Sequence, residues 1–432
     1  MRALALAALL LPAVPPEDPP AHPLMGEFMG INGHTIQFKP ELYSKVCRKA
    51  RDYHPIEWDL GKDSDFRTTF PEARNRVNWN DVYGSWQKHG FETDVSLMES
   101  NFKVEQWKDI GRDAHAYGLA FAKAFGPSSG SKVVASAEVF NEPGKYPDDK
   151  YREVFEAMAK GLREGDPKIK IATCNIVVGK SGGYEKSVDC VKGLESLYDI
   201  LNIHTYSLAK MWPSWKRSFP EDTSVNFVKP VTDLIAWRDQ NAKGKEIWIT
   251  EFGWDASTKP NATSGDDAKW EGNVSDEKQA QYLVRSYLVF SALAVQRAYM
   301  YFFNDENQPS FHAASGITRH FQPKPSFHAM AHLYRSLGEY RLHKVVTNTP
   351  GELFVYEYVH GADPKKKVLV AWSPTGSDRK ATAEIPLGKA RLVRAERMPL
   401  AEGDAGPVEV PVKAGAASIA VEESPLYLWL QE

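Results

Sequence analysis

The stretch that decides the fold is KVVASAEVFNEP, residues 132–143, taken with DDKYREVFEAMAKGLRE at 148–164 and IKIATCNIVV at 169–178. The first and third segments are short apolar and β-branched runs, which is typical of buried strands. The middle segment is amphipathic over a length that favours a helix. A strand, a helix and a second strand in this order predict one βαβ unit of a parallel sheet.

The same alternation extends in both directions and predicts eight strand–helix pairs. The predicted strands are 28–38, 50–56, 92–98, 132–140, 169–178, 199–206, 246–252 and 297–303. The predicted helices are 40–49, 80–88, 104–124, 148–164, 184–197, 224–240, 276–295 and 326–337. Eight pairs predict an α/β fold, a (β/α)8 TIM barrel with some enlarged loops, over residues 24–338.

Two other α/β classes fit the sequence less well. Met29-Gly30-Ile31-Asn32-Gly33 is a glycine-containing turn, but its spacing does not match a dinucleotide-binding turn. Gly-x-Ser-x-Gly occurs at 126–130 and 179–183, so this pattern alone does not exclude an α/β-hydrolase, but the eight strand–helix pairs favour the barrel.

After residue 338 the pattern changes to short strands separated by Gly, Pro and Asp turns. The runs at 353–359, 368–372, 381–385, 408–410, 417–421 and 426–430 show no helical period. Residues 339–432 are therefore predicted to form a β-sandwich accessory domain, which we expect to buttress the barrel rather than to bind sugar.

The N-terminal residues 1–23 read as an export signal followed by a Pro-rich leader. Met1-Arg2 precedes an apolar run at 3–11 that is too short to span a bilayer. We therefore expect a secreted or periplasmic protein without a membrane span.

Composition excludes several partners. The 53 basic and 56 acidic residues leave a net charge of −3, with no basic footprint for nucleic acid. Cys47, Cys174 and Cys190 do not have metal-ligand spacing. The three cysteines allow one disulfide. Cys174 and Cys190 are a candidate pair, but the sequence does not fix which cysteines are joined.

Two glutamates lie at the predicted carboxyl ends of well-separated strands. Strand four runs into Asn141-Glu142-Pro143, and strand seven ends in Thr250-Glu251-Phe252-Gly253. The strand ends of such a barrel share one face, where active sites lie. Glycoside hydrolysis uses two carboxyl groups across one sugar, one protonated and the other ionised.

This pair of motifs resembles clan A of the retaining glycoside hydrolases, families 5 and 39 above all. The resemblance implies that Glu142 is the general acid/base and that Glu251 is the nucleophile. It also implies that Asn141 hydrogen-bonds the sugar 2-hydroxyl. The expected activity is double-displacement cleavage of a polysaccharide or oligosaccharide β-glycoside. A carbohydrate is then the partner, and no metal or organic cofactor is implied because both reacting groups are side chains.

The resemblance also implies helper residues. Arg51 on strand two would hold the nucleophile ionised with a guanidinium that matches a carboxylate, and His54 is a further candidate contact on that strand. On strand six, Tyr206 would donate to the nucleophile beside His204.

The resemblance also bears on the aromatic floor of the sugar site. Relatives often carry a Trp after strand eight, where this chain has Tyr301-Phe302-Phe303, so Trp254 or Phe303 is predicted to form the floor.

Four other acids are expected outside the catalytic pair. Glu138 is expected inside its strand or in an ion pair. The acids around strand three are expected at the surface or rim: Glu92, Asp94 and Glu99.

Two other activities remain open for the same fold. A non-catalytic carbohydrate-binding barrel would carry the two motifs as relics, although the presence of Arg51 and Asn141 disfavours it. Transglycosylation by the same two glutamates would differ only in the acceptor.

Overall fold

A computed structural model describes residues 22–34, 39–403 and 405–432. Its first part is a closed ring of eight parallel strands, which confirms the predicted barrel. Strands pair in chain order around the ring, and β8 lies back beside β1. The strands are β1 Met29–Asn32, β2 Lys49–Pro55, β3 Glu92–Met98, β4 Ser136–Val139, β5 Lys170–Val177, β6 Ile200–His204, β7 Glu246–Phe252 and β8 Arg297–Met300.

Helices follow seven of the eight strands. They are α1 Pro40–Tyr43, α2 Trp79–Lys88, α3 Ile110–Phe125, α4 Asp148–Gly165, α5 Lys229–Asn241, α6 Asp276–Ser291 and α7 Pro325–Leu337. The helix predicted at 184–197 is wrong. The Ser187 side chain caps a single 3-10 turn, Val188–Cys190, and Gly193 adopts φ +84°, which is outside the helical region.

The C-terminal region contains two antiparallel sheets, as expected for a sandwich. Residues 408–410, predicted as a strand, are not part of either sheet. One sheet has the order β9-β10-β11-β16-β13 and the other the order β12-β15-β14. The strands are β9 Tyr340–Thr349, β10 Leu353–His360, β11 Lys366–Trp372, β12 Ala381–Pro386, β13 Arg391–Arg397, β14 Val412–Lys413, β15 Ala416–Val421 and β16 Leu426–Gln431.

The central strands of the larger sheet are buried on both faces. In β16, Leu426, Leu428 and Leu430 face the smaller sheet, while Tyr427 and Trp429 join the core that the barrel helices share. This period of two is the alternation of a strand between two apolar layers. The sheet therefore joins the second sheet to the barrel.

Polar contacts fix the same junction. Arg285 of α6 forms an ion pair with Glu221, and its Nε lies 2.8 Å from that carboxylate. Trp372 Nε1 donates to Glu221 at 2.7 Å, and Arg285 also donates to the Thr375 carbonyl at 2.9 Å. Each buried charge thus has its partner, as burial requires.

The structure also bears on the predictions about the cysteines, a membrane span and the export signal. Cys47, Cys174 and Cys190 are buried free thiols, so the candidate 174–190 disulfide is not formed. Within the described ranges, the helices are all too short or too polar to cross a bilayer. The predicted export signal lies outside the described residues apart from His22 and Pro23.

Candidate active site

Glu142 and Glu251 meet at the C-terminal mouth of the barrel. Each offers a carboxylate oxygen to a group whose atoms lie within 4.8 Å of one another, together with a ring nitrogen of His204. His204 Nδ1 lies 2.8 Å from Glu142 and 3.6 Å from Glu251. The Glu142 side chain is 28% exposed and that of Glu251 is 8% exposed. Two acids that are 109 residues apart in sequence therefore share one small space.

Local irregularities direct both glutamates into this space. Phe140 adopts φ +73°, a left-handed conformation that costs a bulky residue about 1–3 kcal/mol and that is concentrated at functional sites. At Thr250 the register of β7 slips against β6, so that Glu251 pairs with His204. Such a bulge changes the direction of a strand's side chains.

Three donors hold the Glu251 carboxylate. Arg51 Nη1 lies 3.0 Å from Oε1, Tyr53 donates to the same oxygen at 2.7 Å, and Tyr206 donates to Oε2 at 2.9 Å. Burial opposes ionisation of Glu251, but the charges of His204 and Arg51 and the Tyr53 hydrogen bond outweigh it and lower the pKa to about 2. Glu251 is therefore a carboxylate at neutral pH.

Arg51 is fully buried and links five side chains, two of which are Glu251 and Tyr53. Its guanidinium forms a two-point contact with Glu138, at 2.9 and 2.6 Å, and donates to Asn32 and to Asn141 at 2.8 Å each. This confirms Glu138 as an ion-pair partner. Because Arg51 binds the Asn141 oxygen, it fixes the orientation of the Asn141 amide beside Glu142.

Two acids lie deeper than predicted. Asp94 and Glu99 were expected at the surface or rim, and both are buried. Burial and the negative charge of Glu138 raise the pKa of Asp94 well above its usual value. The Ser136 hydroxyl donates to Asp94 Oδ1 at 2.6 Å.

Glu99 hydrogen-bonds the backbone of the turn that carries Glu142. Its Oε2 accepts the Asn141 backbone N–H at 3.0 Å. Burial, and secondarily the charge of Glu142, raises the pKa of Glu99 to about 7. A carboxyl group that titrates near neutrality therefore lies directly behind the two motif residues.

The carboxylates open into a cavity of about 270 Å³. Asn141, Glu142, Glu251 and Tyr53 line one part of it, and Tyr301 and His312 line another. Sequence reasoning missed both Tyr301 and His312. Tyr301 is the first residue after β8, in the place where Trp254 or Phe303 was expected, so the chain does carry an aromatic ring there.

Three predicted site residues lie elsewhere. His54 is buried on the outer face of β2, with its ring nitrogens 2.5 Å from Tyr83 and 2.5 Å from Asp59. Trp254 and Phe303 are fully buried, Trp254 with its indole nitrogen donating to the Ser218 carbonyl at 2.7 Å. These three side chains cannot contact a sugar in the cavity.

The distance of His54 from the cavity follows from strand alternation. Arg51 and Tyr53 are two residues apart and face into the barrel, so His54 must face outward, toward the helices. Similarly, Phe303 lies past the end of β8, where it packs against Tyr43 at 5.3 Å between ring centroids.

Gly253 allows two backbone segments to approach each other beside the cavity. A Cβ atom at this position would lie 2.3 Å from the Tyr301 carbonyl oxygen. Glycine is required because the backbones after β7 and β8 approach closely, and this approach positions Tyr301 at the cavity.

The described residues offer one group that could approach a cation, namely Glu142, His204 and Glu251. His204 already contacts both carboxylates, and Arg51 supplies positive charge to Glu251.

Comparison with known proteins gives a fold but no family. No protein-family model matches the chain, and no curated protein matches it in sequence. A family 39 glycoside hydrolase from the gut symbiont Bacteroides cellulosilyticus WH2 is similar in structure, with a TM-score of 0.69 and 18% identity over 94% of this chain and 81% of that one.

Two other solved structures cover nearly the whole chain. A glucosidase from Croceicoccus marinus aligns with a TM-score of 0.65 and 11% identity over 95% of this chain and 97% of its own. A bifunctional glucanase-xylanase from a metagenome library gives a TM-score of 0.64 and 11% identity over the same shares. At these identities the likeness establishes a barrel with an accessory β-domain.

Proposed function

We propose that this protein is a retaining β-glycoside hydrolase. The observation that carries the proposal is the approach of a Glu142 and a Glu251 oxygen to within 4.8 Å at the mouth of one cavity. Retaining enzymes hold their carboxyl groups about 5–5.5 Å apart, whereas inverting enzymes leave about 6.5–9.5 Å for a water. Carboxylate oxygens this close support the shorter separation of a retaining enzyme.

The surroundings of the two acids assign their roles. Glu251 is ionised and held by Arg51, Tyr53 and Tyr206, which suits a nucleophile that attacks the anomeric carbon. Glu142 is more exposed and is in contact with His204, which suits a group that must give up and regain a proton.

The reaction then proceeds in two displacements. Glu251 attacks the anomeric carbon while Glu142 protonates the departing oxygen, and a covalent glycosyl-enzyme forms. Glu142, now a carboxylate, takes a proton from water, and the water oxygen displaces Glu251. The Asn141 amide nitrogen, which lies opposite the oxygen bound by Arg51, is placed to donate to the sugar 2-hydroxyl.

The substrate is proposed to be an oligosaccharide or polysaccharide. The structural neighbours named above include a glucosidase and a glucanase-xylanase, so glucosides and xylosides are the first compounds to try. The predicted export signal makes a secreted or periplasmic setting part of the proposal.

A covalent trap tests this proposal. A 2-deoxy-2-fluoro glycoside with a good leaving group should accumulate as an adduct on a peptide that contains Glu251, because the fluorine slows the second displacement. The Glu251→Gln protein is the control and should stay unlabelled. Binding of sugar without turnover or adduct would instead support the non-catalytic barrel. Transfer of the glycosyl group to an added sugar acceptor would indicate transglycosylation.

A further inference from the structure

A second cavity opens beside the one that contains the carboxylates. It measures about 410 Å³ and shares His34, Tyr301 and His312 with the first cavity, so the two adjoin. Neither Glu142 nor Glu251 borders it. The second cavity is therefore an extension of the catalytic cavity, with no part in the chemical step.

Its lining combines an aromatic face with amide groups. The Phe311 ring is 39% exposed and continues an aromatic series from the first cavity, since its centroid lies 3.9 Å from that of His312, which is 5.5 Å from Tyr301. Asn304 and Gln308 also line the cavity. Aromatic faces with a few polar groups are the usual lining of a specific small-molecule site.

One polar atom lacks a partner within the described chain. Asn304 is buried, and its Oδ1 accepts from the Phe321 backbone N–H at 2.6 Å. Its Nδ2 has no hydrogen-bond partner among the residues that the structure describes. A buried donor without a partner is costly. Because this nitrogen is closed off from solvent, the exposed Gln308 amide is the group that a sugar hydroxyl in the cavity can reach.

The barrel order indicates which side of the scissile bond this cavity serves. Glu142 follows β4, while Tyr301, Asn304, Gln308 and Phe311 all follow β8, and β8 is diametrically opposite β4 in a ring of eight. Glu142 must protonate the leaving group, so the leaving group lies on the β4 side. The second cavity therefore lies on the other side, beyond the sugar that Glu251 attacks.

From this juxtaposition we propose that the second cavity binds the sugar next to the attacked one, on its non-reducing side. Phe311 stacks on the ring of this sugar, and the Gln308 amide hydrogen-bonds its hydroxyls. The inference rests on the proposed glycosidase activity and adds to it that the enzyme prefers a substrate with at least two sugars ahead of the cleaved bond.

Matched aryl glycosides test this proposal. We would compare 4-nitrophenyl β-xylobioside with 4-nitrophenyl β-xyloside, and the β-cellobioside with the β-glucoside, by kcat/KM for nitrophenol release and by sizing of the sugar product. For the pair that the enzyme hydrolyses, kcat/KM for the disaccharide substrate should exceed kcat/KM for the monosaccharide substrate by about tenfold or more. This is the effect expected of one or two good contacts.

Two variants and a control locate the effect. Phe311→Ala and Gln308→Ala should each lower the disaccharide-to-monosaccharide ratio of kcat/KM. Because Gln308 is exposed, its replacement still tests the inference if Phe311→Ala does not fold. Tyr184→Ala removes a ring that is 61% exposed outside both cavities and should keep the ratio. A wild-type ratio near one, or a ratio that both variants leave intact, would overturn the inference. Failure of the wild type to hydrolyse any glycoside would instead refute the proposed function itself.

Discussion

The mouth of the barrel and the interior of the sandwich contain opposite kinds of buried side chain. At the mouth of the barrel, Arg51, Glu138, Asp94 and Glu251 are buried together. Between the sheets of the sandwich, the buried core cluster consists of alanine, valine, leucine and isoleucine. Apolar side chains of similar volume in place of buried ions often give equal or greater stability. The barrel thus holds its charges at a cost in stability, in the place where chemistry needs them.

The largest expected effect comes from the nucleophile. Glu251→Gln keeps the shape of the side chain and removes the attacking charge, so kcat/KM should fall by about 10⁴-fold or more. The measurement is hydrolysis of the best aryl glycoside, with circular dichroism as the check on folding. Activity near that of the parent in a folded Glu251→Gln protein would contradict the assignment.

The acid/base residue should respond to the leaving group. Glu142→Gln should slow hydrolysis of unactivated glycosides by about 10²–10⁴-fold, the usual contribution of a general acid. The rate of bond cleavage in 2,4-dinitrophenyl glycosides should change little, because a weakly basic phenolate can leave without a proton. Pre-steady-state release of dinitrophenol measures that first step. Equal losses on both leaving groups would argue against Glu142 as the acid.

A pair of variants compares the two interiors directly. Arg51→Met leaves Glu138 and Glu251 buried without their cation, so the free energy of unfolding should drop by about 3–5 kcal/mol and activity should collapse. Leu428→Ala should cost about 2–5 kcal/mol through a cavity in the sandwich. The folded Leu428→Ala protein should keep its kcat/KM, because that core does not touch the site. Denaturant melts and active-site titration separate these outcomes.

These contrasts mark what the sequence could predict. Glu142 and Glu251 were predictable because strand ends of a barrel share one face, and Arg51 and Tyr206 contact Glu251 as expected. Asp94 and Glu99 were misplaced because a lone acid in a sequence indicates solvent. Their partners, the Ser136 hydroxyl for Asp94 and the Asn141 backbone N–H for Glu99, come from other elements and appear only in the folded structure. Tyr301 was missed because β8 ends three residues earlier than its apolar run.

Other features carried no periodic signal. His312 belongs to a loop and adopts φ +63°, which no pattern of apolar residues predicts. The strands β9 and β13 were overlooked for another reason. Both are edge strands with mostly exposed, often charged side chains, which is how sheets protect their edges.

A smaller effect concerns pH and Glu99. The pKa of Glu99 is raised from 4.5 to about 7 in the folded protein, so between these values the folded chain retains a proton that the unfolded chain releases. Glu99 therefore reduces stability as pH rises through this window. Glu99→Gln should remove this contribution, and its Tm relative to the parent should be higher at pH 8 than at pH 5. A Tm difference that does not vary with pH would contradict the raised pKa.

The smallest expected effect is that of a reductant. Because the three cysteines are free and buried, dithiothreitol should leave Tm unchanged. All three thiols should react with an alkylating agent after denaturation without reductant. Labelling of only one thiol under these conditions would indicate a disulfide.

The stereochemistry of the first product tests the central claim most directly. Proton NMR, recorded within the first minutes of hydrolysis of an aryl β-glycoside, distinguishes the anomers before they equilibrate. Two displacements by Glu251 and then water should release the β-anomer first. Initial release of the α-anomer would show a single inversion and contradict the proposed pairing of Glu142 with Glu251 across one sugar.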